Sequence, residues 1–89
     1  RAAASISIDR AAQQVERADR LGLPVIAHIY PRAYTGAPTI VHDPENIMWA
    51  LRCGIECGAD IVKIPFTGDV ASYRDIIATS PVPVVAAGG

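Results

Sequence analysis

The sequence has little of what marks membrane, nucleic-acid-binding or secreted proteins. No apolar run approaches the ~20 residues that a membrane-spanning helix needs, and residues 1–20 contain no signal-peptide core. Eight basic and nine acidic side chains leave a net charge of −1, so no electrostatic field attracts nucleic acid or an anionic membrane. We therefore expect a cytoplasmic protein with neither as a partner. Because the chain begins with Arg1 rather than Met, we expect it to be an internal piece of a longer protein.

Cysteine and metal-ligand patterns are equally sparse. Cys53 and Cys57 are four residues apart in a helical stretch, and two thiols in adjacent turns of a helix rarely meet disulfide geometry. We expect both to be reduced and partly buried. No C-x-x-C or H-x-x-x-H spacing directs His28 or His42 toward them. The sequence therefore predicts no metal site, and we expect no cofactor.

Capping residues predict three helices. Asp9, Asp43 and Asp69 can each accept a hydrogen bond from the first turn of a helix. Gly22 and Gly58 can adopt the left-handed conformation that ends the first two helices.

The apolar spacing within these helices predicts which side chains face the core. Trp49 lies off this stripe, and we expect it to contact a neighbouring helix or subunit. The predicted inward positions are Ala11, Val15, Ala18 and Leu21 in the first helix, Ile47, Ala50, Leu51, Gly54 and Ile55 in the second, and Val70, Tyr73, Ile76 and Ile77 in the third.

Short apolar runs between the helices predict three strands, at 24–30, 60–64 and 83–87, with a loop at 32–42. The order αβαβαβ indicates an α/β fold whose strands pair in parallel through right-handed crossovers. Such crossovers cover one face of a three-stranded sheet, yet the strands are apolar on both faces. Closure into a (β/α)8 TIM barrel of ~250 residues would bury the other face. Residues 1–89 would then be a partial barrel domain; a flavodoxin-like sheet is the competing architecture.

The only lysine, Lys63, lies within the apolar run 61–64. A buried ammonium is costly unless it is paired, and burial favours the neutral amine that can attack a ketone carbon and form a Schiff base. An imine-forming lysine is one interpretation. A structural lysine whose head reaches past the end of the strand is the other, and position alone does not decide between them.

Polar residues also follow the ends of the other two strands. Tyr30, aimed into the mouth of a barrel, could exchange a proton during carbon–carbon bond cleavage, or it could be a packed aromatic. His28 shares its face and is more typical of a wall residue. Gly88 and Gly89 would expose N–H groups to a phosphate, although glycine pairs also mark ordinary turns. Arg32 could reach the same phosphate, or it could be a solvated loop residue.

Three ordered motifs are similar to a known family. They are residues 25–32 (VIAHIYPR), 58–63 (GADIVK) with 67–69 (TGD), and 82–89 (VPVVAAGG). Together they resemble the archaeal-type class I aldolases of the DeoC/LsrF superfamily over residues 9–89. The resemblance implies a (β/α)8 barrel of which this chain supplies about three βα units, corresponding to strands five to seven. It also implies that Lys63 is the Schiff-base lysine, Tyr30 the acid/base tyrosine, and Gly88 and Gly89 the phosphate-binding turn.

The function that the resemblance implies is a class I aldolase acting on a sugar phosphate, with fructose 1,6-bisphosphate as the leading substrate. We expect this activity only in the full-length protein, which would be a homo-oligomer. Alternatives are a transaldolase of the 2-amino-3,7-dideoxy-heptulosonate synthase type, a related thiolase, and an inactive phosphate-binding barrel fragment.

Two positions depart from the family pattern. Ala33 follows Tyr-Pro-Arg where the family usually has glycine, and a left-handed alanine would cost ~1–2 kcal/mol. His28 occupies the place where fructose-bisphosphate aldolases of this kind often have tryptophan. The second departure leaves the sugar open.

Overall fold

The computed structural model describes residues 2–33 and 39–87, with the side chains of 10–32 and 39–87. Helices and parallel strands alternate, as the sequence predicts. No helix in these ranges is long and apolar enough to cross a membrane. The elements are α1 (Ala2–Arg20), β1 (Ile26–His28), β2 (Arg32–Ala33), β3 (Thr39–Ile40), α2 (Pro44–Glu56), β4 (Ile61–Pro65), α3 (Val70–Ala78) and β5 (Val84–Ala87).

The first helix begins at Ala2, so the predicted start at Asp9 is wrong. Residues 2–8 contain neither glycine nor proline, and three of them are alanines, which have the highest helix propensity. Asp9 therefore lies inside α1 and does not cap it. The end is as predicted: Gly22 has φ +70°, and the N–H of Leu23 donates to the carbonyl of Ala18 over 2.9 Å.

Only part of the predicted apolar stripe of α1 is buried. Val15 is 8% exposed, whereas Leu21 is 70% exposed and Ala11 is also exposed. The prediction that Ala11 and Leu21 face a core is wrong for the described residues, because no described element covers these two positions.

The second helix matches its prediction closely. Asp43 accepts a hydrogen bond from the N–H of Asn46 over 3.2 Å, and Pro44 occupies the first turn, where it loses no hydrogen bond. Gly58 has φ +88° just beyond the end of α2. The face toward the sheet is fully buried and consists of Ile47, Ala50, Leu51 and Gly54, with Ile55 partly buried beside it.

The third helix also begins as predicted, since the carboxylate of Asp69 accepts from the N–H of Ser72 over 2.9 Å. Tyr73 and Ile76 are buried. Val70 and Ile77 are 63% and 38% exposed, so their predicted inward placement is wrong. They lie on the side of α3 that no described element covers.

The main sheet has the strand order β1-β4-β5, with both pairings parallel. This confirms the α/β prediction. The helix-covered face of the central strand β4 is fully buried at Val62 and Ile64, which lie in one hydrophobic core with the buried faces of α2 and α3. Along β4 the alternate positions, Ile61 and Lys63, lie on the opposite face, which none of the described helices covers.

The segment predicted as a loop at 32–42 contains a second, antiparallel sheet. Arg32 pairs with Ile40, Ala33 pairs with Thr39, and the N–H of Val41 donates to the carbonyl of Pro31 over 2.9 Å. Ala33 thus lies in a strand, and no non-glycine residue in the described ranges has a positive φ. The alanine that replaces the family's usual glycine is accommodated without left-handed strain.

Candidate active site

Lys63 lies in the centre of the parallel sheet, on the face opposite the helices. Cα pairing sets it between His28 of β1 and Val85 of β5. The side chain is half-buried, and neither of the two ion pairs among the described side chains involves it. Both pairs are exposed helix contacts of the i,i+4 type, at α1 and α2. Lys63 is therefore an amine on a central strand without a carboxylate partner in the described part of the chain.

A cleft of about 340 Å³ opens at the carboxyl ends of the three parallel strands. Tyr30 after β1, Pro65 at the end of β4 and Ala87 at the end of β5 line it. Its remaining wall comes from the end of β3, the segment after it and the loop after β4, namely Ile40, His42, Phe66, Thr67 and Gly68. The carboxyl ends of parallel strands are where α/β proteins bind their ligands, so this cleft is the candidate active site.

Lys63 is two residues before Pro65 on the same strand, and alternation puts both on one face of the sheet. Two residues of a strand rise about 7 Å, which is close to the reach of an extended lysine side chain. The amine of Lys63 can therefore extend along β4 toward the floor of the cleft.

The wall of the cleft at Phe66 is held by a chain of contacts. Nδ1 of His42 lies 2.9 Å from the carbonyl oxygen of Phe66, the ring of Phe66 meets that of Tyr73 edge-on at 5.2 Å, and the hydroxyl of Tyr73 donates to the carbonyl of Ile64 over 3.1 Å. Burial raises the pKa of Tyr73, so this phenol remains a donor at neutral pH. The end of β4 is thus tied to α3 on one side and to His42 on the other.

The loop after β4 is ordered by its own side chains. The hydroxyl of Thr67 donates to the carbonyl of Asp69 over 3.0 Å and lies 2.9 Å from the hydroxyl of Ser72. Hydrogen bonds from the backbone N–H and the side chain of Ser72 hold the pKa of the Asp69 carboxyl below its usual value. The Thr67 hydroxyl is therefore engaged in shaping the loop.

The structure brings some of the predicted site residues together and separates others. Tyr30 lines the cleft, and His28 is exposed beside Lys63. Arg32 lies in β2 and lines a different depression, with Glu45 and Trp49. Gly88 and Gly89 lie outside the described residues; Ala87, which precedes them, is at the rim of the cleft.

His42 is the cleft residue that sequence reasoning missed, since we considered it only as a metal ligand. Its contact with Phe66 spans 24 positions of the chain, and no local pattern indicates such a pairing. In the described ranges no three His, Cys, Asp or Glu side chains gather in a way that could hold a metal ion.

The two cysteines behave as predicted. No disulfide joins Cys53 and Cys57, and both are half-buried in the region of α2. Desolvation raises the pKa of both thiols, and nearby acidic groups add to the effect. Neither is a reactive thiolate at neutral pH.

Curated relatives of this chain are named as synthases of seven-carbon sugar-like acids or as an aldolase. It is 41% identical over 76 residues to 2-amino-4,5-dihydroxy-6-oxo-7-(phosphonooxy)heptanoate synthase of Streptomyces griseus, covering 83% of this chain and 26% of that protein. It is 38% identical over 85 residues to 2-amino-3,7-dideoxy-D-threo-hept-6-ulosonate synthase 1 of Archaeoglobus fulgidus, covering 88% and 30%. Fructose-bisphosphate aldolase class 1 of Thermoproteus tenax is 34% identical over 71 residues, covering 79% and 26%. The chain thus spans less than a third of the length of these relatives.

Solved structures agree with the fold. A crystal structure of an archaeal fructose 1,6-bisphosphate aldolase superposes with a TM-score of 0.79 at 30% identity, covering 92% of this chain and 32% of that one. A second structure of an archaeal fructose-1,6-bisphosphate aldolase, with a TM-score of 0.79 at 28% identity over 92% of this chain and 32% of that one, has the catalytic lysine covalently bound to the carbinolamine intermediate of the substrate. The three-stranded sheet with its helices is therefore a segment of a TIM-barrel aldolase. The profile of the DeoC/LacD family aldolases matches residues 4–89, and the chain belongs to this family.

Proposed function

We propose that the full-length protein is a Schiff-base (class I) aldolase in which Lys63 is the nucleophile. The observation that carries this proposal is the position of Lys63: the only lysine of the chain, on the central strand, facing away from the helices, below a cleft at the carboxyl end of the sheet. A partly buried lysine with a structural role would be expected to pair with a carboxylate. No described carboxylate pairs with Lys63.

The proposed reaction follows from amine chemistry. Nζ of Lys63 adds to the ketone carbon of a sugar phosphate, and loss of water leaves an iminium ion. Cleavage of the C3–C4 bond sends its electron pair toward the iminium nitrogen, which leaves an enamine and releases an aldehyde. The proton of the C4 hydroxyl must leave as that aldehyde forms. No cofactor is needed, because the iminium is itself the electron sink.

Tyr30 is proposed to exchange that proton. It lines the cleft at the end of β4, toward which the side chain of Lys63 can extend, and a positioned phenol can both accept and donate a proton. His28, beside Lys63 in the register, is proposed to contact the substrate. Gly88 and Gly89 are proposed to bind its phosphate through backbone N–H groups; Arg32 remains a weaker proposal, since it lines another depression.

Two substrates are proposed for the same chemistry. Fructose 1,6-bisphosphate, formed from dihydroxyacetone phosphate and glyceraldehyde 3-phosphate, is the first. The second is the substrate of a transaldol reaction of the heptulosonate synthase type. The identities favour this second substrate, since they are 38–41% to relatives with such names and 34% to the aldolase of Thermoproteus tenax. His28 in place of the family's frequent tryptophan also favours the second.

Borohydride trapping tests the proposal in the protein encoded by the complete reading frame. With dihydroxyacetone phosphate or fructose 1,6-bisphosphate present, reduction should leave a stable adduct on Lys63. Trypsin cleaves after lysine and arginine, so a modified Lys63 leaves the peptide 53–74 whole, which mass spectrometry detects directly. The control is the same treatment without substrate.

Lys63→Arg provides the matched variant, because arginine keeps the positive charge but its guanidinium cannot add to a carbonyl at neutral pH. We expect it to lose both the adduct and carbon–carbon bond cleavage. A variant that retains cleavage, or a wild-type protein that gains no mass on 53–74 at saturating substrate, would overturn the proposal. Comparing turnover of fructose 1,6-bisphosphate alone with turnover in the presence of a second acceptor distinguishes the two substrates.

A further inference from the structure

His42 is anchored in the wall of the cleft in a way that fixes its tautomer. The carbonyl oxygen of Phe66 can only accept a hydrogen bond, so Nδ1 of His42, 2.9 Å away, must carry the proton. In the neutral imidazole the other ring nitrogen, Nε2, is then an acceptor with a free lone pair. No described residue donates to Nε2.

The rest of the cleft wall offers little else to a polar ligand. Ile40, Pro65 and Ala87 contribute apolar surface, and the hydroxyl of Thr67 is engaged by Asp69 and Ser72. Among the described side chains that line the cleft, this leaves the phenol of Tyr30 and the imidazole of His42.

From this geometry we infer that His42 is a specificity-determining residue, whose Nε2 accepts a hydrogen bond from a hydroxyl group of the substrate. The inference rests on the proposed aldolase function and deepens it, since it identifies the substrate as one that bears a hydroxyl on the part held against the β3 side of the cleft. A largely apolar wall that presents Nε2 of His42 discriminates against a compound that lacks the hydroxyl, because this acceptor would be desolvated without a partner.

The test compares two aldehydes in condensation with dihydroxyacetone phosphate. Glyceraldehyde 3-phosphate bears a hydroxyl next to the aldehyde carbon, and 3-oxopropyl phosphate lacks it. The readout is the ratio of kcat/KM for the two aldehydes in the full-length protein. This ratio does not depend on the fraction of folded enzyme, and the intrinsic reactivity of each aldehyde cancels between variants.

His42→Asn is the informative substitution, because the asparagine amide can donate to the carbonyl of Phe66 near the position of Nδ1 but has nothing at the position of Nε2. We expect the ratio to fall about three- to tenfold, the size of one lost hydrogen bond. His42→Ala removes both contacts and should show the same fall in the ratio together with a lower unfolding midpoint.

An unchanged ratio in either variant would overturn the role of His42 and leave it as a purely structural contact between the β3 segment and β4. Borohydride trapping in the same variants separates this failure from that of the proposed function. An adduct on Lys63 with an unchanged ratio removes only the inference about His42, whereas the absence of an adduct in the wild-type protein removes both.

Discussion

Replacing Gly54 with alanine tests how closely α2 lies on the parallel sheet. Gly54 is buried in the face of α2 that meets β4. A Cβ at this position would lie 2.8 Å from Cγ2 and 3.1 Å from Cγ1 of Val62, and 3.0 Å from Cδ1 of Ile29. All three distances are well below ordinary van der Waals contact, so a neighbour must move.

The two neighbours differ in how easily they can yield. Cδ1 of Ile29 is the far end of a flexible, half-buried side chain. Val62 is fully buried in the central strand, and its branched Cβ allows few rotamers. Overpacking a core of this kind costs ~1–3 kcal/mol, while alanine gains ~0.8–1.0 kcal/mol over glycine in a helix interior. We therefore expect Gly54→Ala to lower the free energy of unfolding by up to about 2 kcal/mol.

The assay is thermal or denaturant unfolding of the full-length protein in two backgrounds. Val62→Ala removes both methyl groups that the new Cβ would meet, so in that background Gly54→Ala should be neutral or stabilising by up to ~1 kcal/mol. The sign of the effect should thus depend on Val62. Equal effects in the two backgrounds, or stabilisation by Gly54→Ala in the wild-type background, would refute the close approach of α2 to β4.

Three further predictions concern the site and its supports. Tyr30→Phe should leave the borohydride adduct on Lys63 intact but slow cleavage ~10²–10⁴-fold, the usual contribution of a positioned acid or base; unchanged turnover would demote Tyr30 to packing. Tyr73→Phe leaves the carbonyl of Ile64 without its donor and should lower the unfolding free energy by ~1–3 kcal/mol, whereas an unchanged denaturation midpoint would argue against this hydrogen bond. The pKa of Asp69 is lowered in the folded state from its ordinary 3.8, so its contribution to stability is present above about pH 4 and is lost as the pH falls through the lowered pKa. The difference in Tm between the wild type and Asp69→Ala should therefore shrink from pH 7 to pH 3. A difference that stays constant over this range would contradict a stabilising role for the ionised carboxylate of Asp69.

Much of the fold follows from interactions between residues close in the chain. The caps at Asp43 and Asp69 bond to N–H groups three residues ahead, and Gly58 ends α2 in a left-handed conformation that glycine adopts without steric cost. The apolar runs of the strands are also local signals. Because these energies depend on neighbours within one or two turns, the pattern of residues was sufficient to predict the existence of the three helices and of the three parallel strands.

The same local reasoning placed Lys63 in the middle of an apolar strand, but it could not choose between a structural and a reactive lysine. The role of Lys63 depends on which residues flank it in the neighbouring strands and on whether a cleft lies at the end of its strand. The pairing of Lys63 with His28 and Val85 joins residues 35 and 22 positions apart, and Tyr30 and Ala87 in the cleft are also distant in the chain. They became visible only with the sheet register.

Other features depended entirely on tertiary structure. The antiparallel pair of β2 and β3 stands where the sequence predicted a loop, because strand pairing satisfies backbone groups that the local sequence leaves open. Val70 and Ile77 are apolar and lie at helical spacing, yet they are exposed, since burial requires an opposing surface that periodicity does not supply. The sequence by itself determined the three helices, the three parallel strands and the place of Lys63 within an apolar run. The tertiary structure decided which apolar residues find a partner and brought His42 to the carbonyl of Phe66, because contacts between distant segments depend on how the elements pack and leave no periodic signature in the chain.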